Sequence, residues 1–157
     1  MITKVSWLFC VLMVTINCEA QTCVADTMAR LSEKSPITNA TSSLKFQKLM
    51  NTTTNGTEIG EIEKAWNLLY PKHPLVKVML VHGGTNYVDE NYNVVFQQPL
   101  LWVGNHEQGT HCAIFYFKKD SVWLSHSQYL PGTKSYYTEF KTIQWAMTNT
   151  ICLWRVK

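Results

Sequence analysis

Seven short segments rich in β-branched and aromatic residues crowd the second half of this chain, over 75–81, 93–96, 100–103, 112–118, 121–124, 135–147 and 151–156. Such residues suit the pleated, half-buried surface of a strand. Turn residues part most of the segments: Gly83-Gly84, Asp89-Glu90-Asn91, Gly104-Asn105, Lys119-Asp120, Pro131-Gly132 and Asn149. Connections this short join neighbouring strands as antiparallel hairpins, because a parallel crossover needs a dozen residues or more. The expected fold is therefore mainly β: an antiparallel barrel-like or sandwich domain with a short N-terminal helical segment. Within 112–118, Ala113, Phe115 and Phe117 point one way, and Cys112, Ile114 and Tyr116 the other. Both sets are apolar, so this strand is central or lines an aromatic interior.

Upstream, the chain begins like a secretory leader. Lys4 supplies a small positive region, 5–16 is an apolar run, and Cys18-Glu19-Ala20 offers the small residues that signal peptidase accepts. Three parts follow: a signal peptide over 1–20, a polar N-terminal segment over 21–57, and a β-rich binding domain over 58–157. The expected destination is extracellular, where disulfides and N-glycans form. No second apolar run approaches a membrane span. Asn39, Asn51 and Asn55 each open an Asn-x-Thr sequon in the polar segment, which places that stretch at the surface. Short helices over 25–31 and 44–50 compete there with a loosely ordered leader. Ile59, Ile62, Trp66 and Leu69 follow helical spacing until Pro71 ends the run.

The formal charge of +3 sits on a charged fraction of only 16%, and the longest basic cluster is Lys118-Lys119. Nucleic-acid binders concentrate their basic residues, so no nucleic-acid partner is expected. No phosphate loop or dinucleotide fingerprint is present, and no cofactor is expected. Of five cysteines, Cys10 and Cys18 fall in the leader, leaving Cys23, Cys112 and Cys152. Cys112–Cys152 is the favoured disulfide because both lie in strand-like segments; Cys23–Cys152 is the alternative.

His106, Glu107, His111 and Cys112 cluster on a Gly-bounded loop. A metal site needs three or four converging ligands, and nothing elsewhere supplies a clear second pair. The cluster is therefore read as a solvated hairpin loop, with no metal expected. Cys112 as a nucleophile, with His82 or His126 as its base, defines a cysteine-hydrolase alternative. Against it, a cysteine in an oxidising compartment is more often bridged than reactive, and no catalytic residue is assigned. The aromatic surplus is more suggestive. Trp102, Phe115, Phe117, Trp123, Tyr136 and Trp145 are the candidate wall of a pocket for an apolar or amine ligand.

Glu63-Lys64-Ala65-Trp66 in a short helix, an extended 75–81 and the aromatic hairpins together resemble the secreted salivary lipocalins of ticks, the histamine-binding-like proteins. Cys112-Ala113-Ile114-Phe115 and Cys152-Leu153-Trp154-Arg155-Val156 are similar to that family's late segments. The resemblance covers roughly 58–157. It implies a β-barrel that sequesters small host mediators, such as biogenic amines or lipids, or that modulates host defence. The expected function is thus a secreted binder of a small molecule, without catalysis. A cavity-less effector that binds an extracellular protein is the alternative. The sequence leaves the oligomeric state open.

Overall fold

A computed structural model of the chain describes residues 15–16, 22–35, 37, 39–80, 87–89, 98–107, 109–118 and 121–157. The leader, apart from Thr15–Ile16, and the strand expected over 93–96 lie outside the described residues. Two short strands, β1 (Thr15–Ile16) and β2 (Thr57–Glu58), pair with each other. The remaining strands are β3 (Leu75–Leu80), β4 (Tyr87–Asp89), β5 (Leu100–His106), β6 (Gly109–Lys118), β7 (Ser121–Tyr129), β8 (Tyr136–Thr142) and β9 (Thr150–Val156). They form one antiparallel sheet in the order β4-β3-β9-β5-β6-β7-β8. β9 follows all of its neighbours in sequence yet lies between β3 and β5.

Among the described residues four helices accompany the sheet: α1 (Cys23–Lys34), α2 (Ser43–Leu49), α3 (Ile59–Leu69) and α4 (Ile143–Asn149). The fold is accordingly a mixed one of helices and an open sheet. This corrects the mainly β expectation, and the barrel implied by the lipocalin resemblance is not formed. The sheet runs from β4 to β8 with no pairing between those two strands among the described residues. The physical reason lies in the polar N-terminal segment, which supplies the cover that a barrel or a second sheet would otherwise give. Val24, Met28 and Leu31 form a buried stripe on α1, and α2 buries Phe46. From α3, Ile59, Ile62 and Trp66 are buried, as the helical spacing predicts, together with Ala65, while Leu69 is partly buried. Phe46 stacks on Trp66 with ring centroids 5.9 Å apart. These helices share one core with Leu101, Val103, Cys112 and Trp154 on the facing side of the sheet.

The other face carries a second core of Leu100, Trp102, Ala113, Phe115, Val122 and Leu124, against which Ala146 of α4 packs. β5 and β6 are thus apolar on both faces because both faces are covered. The single strand expected over 135–147 ends instead at Thr142, whose hydroxyl accepts from the Trp145 backbone N–H and caps α4. Gly104 is required where α4 ends. A Cβ there would collide with the Asn149 carbonyl oxygen and the Trp102 ring.

The expected Cys112–Cys152 disulfide is absent, and both cysteines are free thiols. Register explains why. Val103 of β5 pairs with Cys112 on one side and Cys152 on the other. Two inter-strand steps hold the pair roughly 10 Å apart, beyond the reach of a disulfide. Cys23 is disulfide-bonded, to neither of them.

Candidate metal centre

Four consecutive strands place a polar side chain on the same face, beyond the second core. His106 ends β5, His111 is the third residue of β6, His126 follows the apolar Val122 and Leu124 along β7, and Glu139 lies on β8 opposite Leu124. The tight β5–β6 turn pairs His106 with Gly109 and Gly104 with His111, so the two histidines sit on a cross-strand diagonal. Gly109 holds a φ of +106°, which favours glycine at that turn. His106 and Glu139 stand three strands apart and lean toward each other until Nε2 and Oε1 are 2.8 Å apart. Trp145 of α4 packs edge-on against His106, with centroids 6.4 Å apart.

Glu139 is the hub. Its Oε1 accepts from His106 Nε2 and stands 2.9 Å from His126 Nε2, while Lys141 Nζ holds Oε2 at 3.0 Å. The side chains of His106, His126 and Glu139 are only 11%, 3% and 10% exposed. His126 Nε2 is buried against the carboxylate at 2.9 Å, close enough for an ion pair but outside good hydrogen-bond geometry. Its other nitrogen, Nδ1, meets His111 Nε2 at 2.7 Å. The Tyr137 ring stacks on His126 with centroids 5.2 Å apart.

Burial, then the neighbouring His126 and His106, pushes the His111 imidazole down to about 4. Burial also lowers His126, against the pull of Glu139. For Glu139, burial alone would raise the carboxyl. The hydrogen bond from Lys141 and the adjacent His106 and His126 outweigh it and hold the group below its ordinary range. Near neutral pH the cluster therefore holds neutral His111 and His126 beside an ionised carboxylate. Those are the forms that coordinate metal.

Three donor atoms, one each from His106, His126 and Glu139, lie within 4.8 Å of one another. A tetrahedral zinc with bonds near 2.0–2.1 Å sets its ligand atoms roughly 3.3 Å apart. The 2.8 and 2.9 Å separations to Glu139 Oε1 need only a slight opening to admit an ion. His111 would serve as the outer partner that fixes the His126 tautomer, the usual device around a ligating histidine. A cleft of about 290 Å³ opens on the cluster and is lined also by Glu107, Gln128, Tyr137 and Lys141.

Sequence reasoning singled out His106 and His111 but lacked the second ligand pair, which His126 and Glu139 supply from later strands. The signal for Glu139 was its parity: a carboxylate on the same strand face as Tyr137 and Lys141. Of the six aromatic residues expected to wall one pocket, four lie together at the second core and two lie apart from it. Trp102 and Phe115 belong to the second core, with Phe117 and Trp145 packed against it. Trp123 meets Phe140, and Tyr136 lies over Arg30 of α1. Cys112 is fully buried, and burial pushes its thiol up to about 12. Asn39, Asn51 and Asn55 are all exposed. Among the described residues, no helix is long and apolar enough to cross a membrane. No family model matches this chain, and no curated protein matches it.

Proposed function

We propose that this chain is a secreted binding protein whose ligand is a divalent transition-metal ion, held by His106, His126 and Glu139. The observation that carries the reading is the buried His126 Nε2. It meets Glu139 Oε1 at 2.9 Å without good hydrogen-bond geometry, and the His106 donor atom lies within 4.8 Å of both. Two imidazoles and one carboxylate suit Zn²⁺ or a similar ion of borderline softness. Three protein ligands leave a fourth position toward the cleft, open to water or an exogenous ligand. The binder expected from the sequence is kept in kind, while its ligand moves from an aromatic interior to this cluster. Cys112 supports no nucleophilic role, since a thiol this buried stays protonated. The leader and the three exposed sequons support export and glycosylation.

The test is metal content and affinity. The full chain, stripped with chelator and titrated with Zn²⁺ by calorimetry, should take up one ion per chain. Glu139→Gln and His126→Ala should each abolish that binding while leaving far-UV circular dichroism unchanged. A wild-type chain that binds no more Zn²⁺ than these variants would refute the reading.

A further inference from the structure

A buried guanidinium reaches the cluster from the opposite side of the sheet. Arg30, on α1, is only 7% exposed. Its Nη1 donates to the carbonyls of Ser125 at 3.3 Å and His126 at 2.7 Å, and its Nη2 donates to Ser125 Oγ at 2.7 Å. The guanidinium lies 3.6 Å from the centroid of the Tyr136 ring, which stacks in turn on Tyr129.

These contacts fall where the β7–β8 ladder breaks. Ser125 pairs with Thr138, but the next registered pair is Tyr129 with Tyr136. Residues 126–128 of β7 therefore face Tyr137 alone. Such an irregularity re-aims side chains and leaves backbone groups in need of other partners. Arg30 supplies donors at that place. Among the described residues no carboxylate lies within ion-pair range of it, so neutralising an acid is not its role. A buried cation without a counter-ion is costly to keep. What this one does is grip three oxygens with a rigid planar fork.

We propose that Arg30 is the positioning residue of the metal centre: by clamping the Ser125–His126 backbone it sets the direction in which His126 presents Nε2. This inference rests on the metal-binding reading above. On it, the helical layer contributes no ligand yet determines the coordination geometry on the far face of the sheet.

Co²⁺ is the probe, because its visible absorption reports ligand geometry. Arg30→Lys keeps the charge and loses the fork. In the full chain this variant should bind Co²⁺ roughly 10–100-fold more weakly, the usual cost of losing an outer-shell support. Its fully loaded visible spectrum should also change. General destabilisation would lower the melting temperature without altering the spectrum of the loaded site. A folded Arg30→Lys with wild-type affinity and spectrum overturns the inference. Should that variant not fold, Ser125→Ala decides. It should show a smaller affinity loss and a changed spectrum, and no change in either overturns the proposal. A wild-type chain without any Co²⁺ spectrum fails at the metal reading itself, a distinguishable result that takes this inference with it.

Discussion

His111 should make the metal-free fold acid-sensitive in a window assignable to one ring. Its imidazole is buried against His126 and His106, with Glu139 beyond, and drops from an ordinary 6.5 to about 4. The unfolded chain therefore binds a proton in the range where the folded chain refuses it. Stability from this group is fully present above about pH 6.5 and drains away as pH falls toward 4. The whole shift is worth about 3 kcal/mol, of which about 2 kcal/mol is already lost near pH 5. His126 is shifted in the same direction and adds to the loss. Glu139 is also lowered, but as an acid it acts below this window, because its stabilisation disappears only as the carboxyl itself takes up a proton. The assay is urea unfolding with chelator present, near pH 7.5 and near pH 5, for the wild type and His111→Asn. The wild type should lose about 2 kcal/mol more than the variant between the two conditions. Equal losses would mean that His111 is not held neutral by the fold, and the electrostatic account of the cluster would be wrong.

Met28→Ala should cost about 2–5 kcal/mol by chemical denaturation, because Met28 is wholly buried in the helix–sheet core; a neutral result would return the N-terminal segment to a loose leader. Gly104→Ala should destabilise by roughly 1–3 kcal/mol, read as a lowered melting temperature, since the new methyl meets the Asn149 carbonyl and the Trp102 ring. Alkylation of the native, unreduced chain should leave Cys112 unmodified, and denaturation without reductant should make both Cys112 and Cys152 reactive; a bridged peptide in the map would contradict the register that separates them.

The legible parts of the fold are those with a clean period. Ile59, Ile62 and Trp66 mark α3 because an amphipathic stripe on a short helix has few other readings. The apolar character of both faces of β6 placed it inside the sheet. α1 was harder to read because Thr27, Arg30 and Ser32 are buried along with its apolar stripe, so burial and hydropathy part company there. α4 hid within an apparent strand because Ile143 and Trp145 suit either state, and the cap at Thr142 settles the matter only locally. The site was half legible. His106 and His111 are joined by a turn, whereas His126 and Glu139 arrive through the pairing of β6 with β7 and of β7 with β8. Register across several strands is a tertiary fact, and no local spacing encodes it. The same gap misled the cysteine pairing, since two strand-borne thiols can be neighbours or two strands apart.

β9 carries a consequence for how the chain is made. A ribosome delivers it after β3 to β8, yet it occupies the middle of the sheet. Until it emerges, the β3–β4 hairpin and the β5–β8 unit each present an unpaired inner edge, a row of free amides and carbonyls open to mispairing. The two halves cannot join until β9 has been made, so the sheet is completed by its last-made strand. The nascent protein needs its inner edges shielded for as long as Thr150–Val156 has yet to appear.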